Sequence, residues 1–121
     1  MKNFNNISHN RIIFQTDQFF IMKDRYPVSP GHCLIISKKV KPTFFDLTKD
    51  EQEELTILIK TTKEIIEESY SPDGYNIGMN CGPAAGQSIM HFHCHVIPRY
   101  AGDMENPKGG IRYCIPSRGS Y

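Results

Sequence analysis

The sequence of 121 residues has no long apolar run and no excess of charge of either sign. Nothing in it approaches the ~20 consecutive apolar residues that a membrane-spanning helix needs. Its 14 basic and 13 acidic side chains leave a formal net charge of +1, so no long-range field attracts a nucleic acid or a membrane surface. We therefore expect neither of these as a partner, and an anionic ligand would have to be held by local donors.

Cysteine is scarce, and none of the four cysteines belongs to a Cys-x-x-Cys pair. A structural zinc site therefore has no support in the sequence. The N-terminal stretch MKNFNNISHNR contains no apolar core of a signal peptide, so a cytoplasmic protein with free thiols is expected. No local signature marks any of the cysteines as a nucleophile.

One segment in the middle of the chain has the features of a helix. Thr48 and Glu51 have the spacing of a capping box, and further acidic residues follow in the first turns, where the helix dipole favours them. Apolar residues then recur at three- and four-residue steps as far as Ile66, before the Ser-Pro-Asp-Gly segment at 71–74. The sequence predicts an amphipathic helix from Thr48 to Ser69.

Short apolar segments on both sides of this helix predict strands, and turn-forming residues separate them. Two strands are predicted within residues 11–22, around a turn at 15–18, and one each at 32–37, 75–80, 89–98 and 111–116. This order predicts an antiparallel sheet with one main helix, in a single α+β domain over residues 1–121. Because a chain this small exposes much of its surface, we expect a homodimer, with the helix and its neighbouring strands as the candidate interface.

The most informative segment is IMHFHCHVIP, residues 89–98. His91, His93 and His95 occupy alternate positions, and alternate residues of a strand point to the same face. The residues between them, together with Met90 and Val96, would point to the apolar core. The pattern therefore predicts a row of three imidazoles on one face of a half-buried strand.

The residues alone leave three interpretations of this row open. The histidines could be structural, each satisfied by local hydrogen bonds. They could bind a metal, but ligands must converge on one ion at about 2.0–2.1 Å, and His91 and His95 lie about 13 Å apart on a strand that rises ~3.3 Å per residue. The third and favoured interpretation is nucleophilic attack on phosphorus, because a neutral imidazole whose other nitrogen is held as a donor is nucleophilic at cellular pH.

The loop before the row, CGPAAGQS at 81–88, consists mainly of small residues. Gly82 and Gly86 let backbone amides approach a ligand, and Gln87 and Ser88 add side-chain donors near the histidines. The loop is therefore a candidate phosphate site, although an ordinary turn can have the same composition.

Residues 80–99, NCGPAAGQSIMHFHCHVIPR, and the upstream segment PGHCLIIS at 30–37 resemble the signature of the histidine-triad (HIT) superfamily. The resemblance extends from about Arg11 to Pro116, and it implies the HIT fold. The run PRYAGDMENPKGGIR from Pro98 onward is similar to the branch that acts on diadenosine polyphosphates. The resemblance thus implies an enzyme that cleaves the α-phosphorus bond of dinucleoside polyphosphates through a nucleotidyl-histidine intermediate.

The resemblance also implies roles for the matching residues. His93 would be the nucleophile, His95 would contact the α-phosphate, and His91 would orient His93 through its backbone carbonyl. The implied substrate-binding residues are His32, Asn80, Gln87, Ser88 and, at the ribose, Asp24. The resemblance also implies, less directly, that Phe14 and Ile21 form the pocket for the nucleobase.

Several alternatives remain at this stage. The same residues fit a nucleoside phosphoramidate hydrolase, a nucleotide-binding protein with little turnover, or a metal-binding protein. No resident cofactor is implied, although a divalent cation could accompany the nucleotide. Arg99, Lys108 and Arg112 either meet a distal phosphate or are surface charges, and His9 is expected to be solvated.

Overall fold

The computed structural model describes residues 3–5 and 7–121. Its strands are β1 Ile12–Gln15, β2 Phe19–Lys23, β3 Cys33–Ser37, β4 Gly74–Gly78 and β5 His93–Arg99. They form an antiparallel sheet in the spatial order β1-β2-β3-β5-β4. The α-helix α1 (Lys49–Glu67) follows β3 and precedes β4. These elements confirm the predicted α+β fold with one main helix.

Helix α1 begins where the sequence predicts. The Thr48 hydroxyl accepts a hydrogen bond from the Glu51 amide (3.1 Å), and the Glu51 carboxylate accepts one from the Thr48 amide (2.7 Å), which completes the capping box. Leu55, Leu58 and Ile66 on one face of the helix are buried in the core beside the sheet. Each such side chain contributes about 1.5–3 kcal/mol when fully buried, so this face fixes the helix against the sheet.

Each face of the sheet carries its own apolar cluster. The helix-facing cluster includes Ile21, Ile35, Cys94 and Val96. A smaller cluster covers the opposite face, and its buried members are Phe4, Phe20, Met22, Leu34 and Ile36. Alternation along β5 therefore places His93 and His95 on the face away from the helix.

The structure corrects the predicted start of the histidine strand. β5 begins at His93 rather than at residue 89, and Met90 is exposed instead of packed in the core. The paired register of β3 and β5 ends at His93. The Ser37 amide still donates to the Phe92 carbonyl (3.4 Å), but the Phe92 amide donates to the carbonyl of Lys41 (2.6 Å), in the connector after β3. His91 consequently precedes the strand.

The last predicted strand, at residues 111–116, is also corrected. Gly110–Cys114 forms a 3₁₀ turn, and a second one follows at Pro116–Arg118. Gly109 and Gly110 adopt positive φ, which starts the turn, and a short apolar run carries too little periodicity to separate a turn from a strand. No helix in the described part of the chain has the length and apolar content that crossing a bilayer requires.

Candidate active site

His93 lies at the start of β5, opposite Ile36 of β3. Its Nδ1 is 2.8 Å from the backbone carbonyl oxygen of His91. Because a carbonyl can only accept, the His93 Nδ1 carries the proton, and the lone pair of the neutral ring lies on Nε2. The contact expected between the His91 carbonyl and the His93 ring is therefore present, and it leaves Nε2 as the nucleophilic atom.

His91 is fully buried, and both of its ring nitrogens are bonded to the main chain. Nδ1 accepts a hydrogen bond from the Phe4 amide (3.0 Å), and Nε2 donates to the Ser37 carbonyl (2.5 Å). This arrangement requires the neutral tautomer with the proton on Nε2. Burial lowers the pKa of His91, which favours the same neutral state. The side chain of His91 thus anchors the residue whose carbonyl orients His93.

His95 is paired with His32 from the entrance to β3. The Val28 amide donates to Nδ1 of His32 (3.0 Å), so a neutral His32 carries its proton on Nε2, which lies 2.9 Å from Nδ1 of His95. His95 must then accept at Nδ1 and hold its own proton on Nε2. Burial, reinforced by the neighbouring His93 and His32, lowers the pKa of His95 from 6.5 to about 4. The site therefore presents one imidazole lone pair, on His93, beside one imidazole N–H donor, on His95.

Asp24 adjoins this pair of histidines. Its Oδ1 accepts from the Tyr26 amide (2.8 Å), and its Oδ2 lies 3.3 Å from Nε2 of His32 and 3.8 Å from Nδ1 of His95. The three side chains are close enough together to suggest a cation site. However, His32 already uses its Nδ1 lone pair to accept from the Val28 amide, so its Nε2 is protonated and offers none to a metal. The tautomers thus argue against a metal at this position.

The Gln87 side chain holds the small-residue loop at 81–88 in place. Gln87 is buried; its Oε1 accepts from the Gly82 amide (2.8 Å), and its Nε2 donates to the carbonyls of Pro42 (2.6 Å) and Ile89 (3.1 Å). Both amide protons are in use, so the expected contact between Gln87 and phosphate is corrected to a positioning role. Ser88 is exposed and remains free to meet a ligand.

Of the remaining candidate residues, Asn80 lies at the rim of a cleft and the basic residues lie elsewhere on the surface. Asn80 is exposed at the rim of a cleft that His95 also lines. Arg99 is bonded to Asp103 (2.9 and 2.8 Å) and Asn76 (2.6 Å). Arg112 donates to the carbonyls of Arg118 and Gly119, the Lys108 ammonium lies 5.0 Å from the centre of the Tyr121 ring, and His9 is exposed. None of these basic residues lines a cavity that contains a histidine of the row.

The buried cysteines are poorly suited to nucleophilic catalysis. Burial raises the pKa of the Cys33 thiol to about 11 and that of Cys94 to about 12. Both therefore stay protonated near neutral pH, and a thiol is a much weaker nucleophile than a thiolate.

A cavity of about 390 Å³ opens beside His93 and His95 on the β2 and β3 side. Its apolar walls come from Phe4, Ile7, Met22, Leu34 and Ile89. The expected base pocket at Phe14 and Ile21 is therefore wrong, because Ile21 is buried on the helix side and Phe14 pairs opposite it. Alternation could not assign these faces, since β2 reads FFIMK and is apolar at four successive positions.

A second cleft of about 700 Å³ lies on the other side of His95, above β4 and β5. The floor contains Gly78 and Ile97, one wall is the loop 84–86, and the other wall is the 3₁₀ turn that contains Ile111 and Cys114. His95 thus stands between two cavities, while His93 faces the smaller one.

Known proteins are similar in sequence to this chain over most of its length. The sequence profile described as "HIT domain" matches residues 6–102. A bis(5'-adenosyl)-triphosphatase of Dictyostelium discoideum is 36% identical over 100 residues, which cover 83% of this chain and 67% of that protein. An asymmetrical bis(5'-nucleosyl)-tetraphosphatase of Schizosaccharomyces pombe is 32% identical over 94 residues, 78% of this chain and 52% of that protein.

A solved structure agrees with the same assignment. The NitFhit protein of C. elegans superposes with a TM-score of 0.77 at 31% identity and covers 92% of this chain, while the chain covers 26% of that larger protein. The chain therefore spans about two thirds of the Dictyostelium relative, about half of the S. pombe relative and about a quarter of NitFhit.

Proposed function

Because the chain belongs to the HIT domain family, we propose that it is a hydrolase that cleaves dinucleoside polyphosphates at the α-phosphorus, with a nucleotidyl group carried on His93. One observation carries the proposal: the hydrogen bond from His93 Nδ1 to the His91 carbonyl holds one proton on Nδ1, so that Nε2 is the atom that bears the lone pair when the ring attacks. The Dictyostelium bis(5'-adenosyl)-triphosphatase and the S. pombe bis(5'-nucleosyl)-tetraphosphatase support the substrate class.

In the first step, Nε2 of His93 attacks the α-phosphorus. A P–N bond forms while the bond between the α-phosphorus and the bridging oxygen breaks, and the leaving nucleoside phosphate departs with the bonding electron pair. The imidazolium formed on His93 is stabilised because its Nδ1–H already points at a carbonyl oxygen. In the second step, water attacks the phosphorus, loses a proton, and breaks the P–N bond to release a nucleoside monophosphate and neutral His93.

Charge that develops on the phosphoryl oxygens needs fixed donors. His95 supplies one, since its Nε2 keeps a proton while Nδ1 accepts from His32. The low pKa of His95, about 4, means that it acts as a neutral donor at physiological pH. Exposed Ser88 and the rim residue Asn80 are proposed as further phosphate contacts, beside a loop that Gln87 holds in place.

The nucleotidyl half fits the cavity beside His93. Met22, Leu34 and Ile89 offer apolar contact to a planar base, as small-molecule sites commonly do. Asp24 lines the same cavity, and its carboxylate can accept a hydrogen bond from a ribose hydroxyl. His32 would act through His95 rather than on substrate, since its two ring nitrogens bond to Val28 and His95.

Wild-type and His93→Ala protein would each be given diadenosine triphosphate and adenosine 5'-phosphoramidate, with released nucleotide resolved by chromatography. We expect the wild type to release AMP from the dinucleotide, and the variant to lose turnover by at least about 10³-fold, since removal of a nucleophile abolishes the covalent route. Acid-quenched wild type incubated with labelled substrate should carry label on a histidine, and His93→Ala should carry none.

A His93→Ala protein that keeps wild-type turnover would contradict the mechanism. Faster release from the phosphoramidate than from the dinucleotide would assign the chain to phosphoramidate hydrolysis on the same site. Nucleotide binding without product from either compound would indicate a binding protein.

We further propose that the chain works as a homodimer in a reducing compartment, the cytoplasm. β4 is at the edge of the sheet, where no strand of the described residues pairs with its outer side, and α1 exposes Ile57. An exposed strand edge and an exposed apolar helix residue are each suited to contact with a second copy. The four cysteines are all free thiols, as expected of a reducing compartment.

A further inference from the structure

The larger cleft lies where the leaving half of a dinucleotide would extend. The sheet order β2-β3-β5-β4 places His95 between the smaller cavity, above β2 and β3, and this cleft, above β5 and β4. If one nucleoside occupies the smaller cavity with its phosphate at His93, the phosphate chain continues past His95 toward the cleft. At about 700 Å³ the cleft has the size of an ordinary small-molecule site.

The cleft is walled by isoleucines rather than by charges. Ile97 forms part of the floor. Ile111 in the C-terminal turn (the 3₁₀ turn Gly110–Cys114) and Ile115 directly after it form a wall, although they are 63% and 56% exposed. None of the described residues that line the cleft is Lys or Arg. A bare polyphosphate tail would find no counter-charge there, whereas a flat, largely apolar ring would cover isoleucine surface that is otherwise in water.

A glycine keeps the floor open next to the histidine. Gly78 of β4 pairs directly opposite His95 of β5, so a side chain at this position would rise beside the imidazole. A Cβ added at Gly78 would come within 3.3 Å of the Ile111 Cδ1, which shows how closely the C-terminal turn approaches the strand here. A bulky side chain at this position would therefore fill part of the cleft beside His95.

We propose that this cleft binds the nucleobase of the leaving half of the dinucleotide, with Ile111 and Ile115 as the residues that select for it. This inference rests on the proposed function, and it adds a second nucleoside subsite to it. The enzyme would then prefer substrates that carry a nucleoside at both ends of the phosphate chain over substrates that carry one.

The test compares two substrates with the same adenylyl half. One is diadenosine triphosphate, and the other is the γ-methyl ester of ATP, in which a methyl group replaces the second nucleoside. We expect Ile111→Ser and Ile115→Ser each to lower kcat/KM for the dinucleotide about fivefold, mainly through KM, as the loss of one apolar contact predicts. For the methyl ester, kcat/KM should stay within about twofold of wild type, since the variant residues touch nothing in that substrate.

Gly78→Val is a second kind of variant, because it adds a side chain to the floor of the cleft instead of shortening a side chain in its wall. Gly78 does not adopt positive φ, so the backbone at this position accepts valine, but the Ile111 side chain must shift because an added Cβ already comes within 3.3 Å of its Cδ1. The variant should abolish the preference for the dinucleotide. Val40→Ser is the matched control, because Val40 is 46% exposed in the connector after β3 and lines neither cavity.

Thermal unfolding of each variant separates a folding defect from a lost contact. A wild type with equal kcat/KM for the two substrates, or variants that lower both values equally, would overturn the inference while the proposed function stands. A wild type that turns over neither substrate would instead defeat the proposed function, and the inference with it. The two failures are distinguishable because the proposed function fails when neither substrate is turned over, whereas the inference fails when both are turned over without a preference for the dinucleotide.

Discussion

At the scale of single residues, the three histidines of the row have unlike surroundings. His93 and His95 are partly exposed and line a cavity, whereas His91 is fully buried and bonded at both ring nitrogens. The alternation along the segment predicts a row of three imidazoles on one strand face and says nothing about the burial of each ring. It could not separate them, because the hydrogen bond from the Phe4 amide to His91 joins residues 87 positions apart.

The buried position of His91 leads to a prediction about stability. His91→Phe keeps a ring of similar shape but leaves the Phe4 amide and the Ser37 carbonyl without partners. Because each unsatisfied buried polar group costs about 1–3 kcal/mol, we expect the free energy of unfolding, measured in urea, to fall by about 3 kcal/mol. His9→Phe is the control, since His9 is exposed and should tolerate the same change within about 0.5 kcal/mol. Equal effects at the two positions would contradict this account.

At the scale of elements, the connector after β3 supports the histidine segment and the loop before it. The carbonyls of Lys41 and Pro42 accept hydrogen bonds from the Phe92 amide and the Gln87 side chain. Lys41 also forms an ion pair with Glu51 (2.6 Å) in the first turn of α1. The start of α1, the loop and the histidine segment are thus linked through two adjacent residues, which is why the loop has a defined conformation despite its glycines.

These hydrogen bonds lead to a prediction that distinguishes two roles of Gln87, stabilising the loop and binding phosphate. Gln87→Met keeps the length of the side chain and removes its hydrogen bonds to Gly82, Pro42 and Ile89. We expect the ligand-free protein to lose about 2–4 kcal/mol of unfolding free energy, and kcat/KM to fall with it because the loop loses its position. Ser88→Ala, at an exposed neighbour, should leave stability within about 0.5 kcal/mol.

If Gln87 acted only on bound phosphate, thermal unfolding of ligand-free Gln87→Met would match wild type. That result would restore the role that the family resemblance implies for this residue.

How well each element could be predicted depends on how local its determinants are. The capping box at Thr48 and the apolar spacing that follows lie within the helix itself, so the predicted span agrees with Lys49–Glu67 within about two residues at each end. The start of β5 depends on the distant Lys41 carbonyl, and the C-terminal turn depends on Gly109 and Gly110. The apolar periodicity of residues 89–98 does not show the bond to Lys41, and that of residues 111–116 does not include the two glycines that precede it. The predicted start of β5 and the predicted last strand were therefore wrong.

At the scale of the whole molecule, we expect the chain to sediment as a dimer of the 13.9 kDa protomer. Ile57→Glu would place a charge on the exposed apolar position of α1, so the dimer should dissociate at protein concentrations that keep the wild type paired. Val40→Glu, a similar change in the connector after β3, should leave the sedimentation coefficient unchanged. A wild type that stays monomeric at high micromolar concentration would contradict the dimer proposal.

The contact between Phe4 and His91 has a consequence for how the protein is handled in the laboratory. Phe4 contributes to the cavity beside His93, and Ile111 and Ile115 contribute to the cleft beyond His95, so segments near both ends of the chain form walls of the site. A minimal domain that lacks Phe4 and Ile7, or residues 110–118, would therefore lose walls of these two cavities.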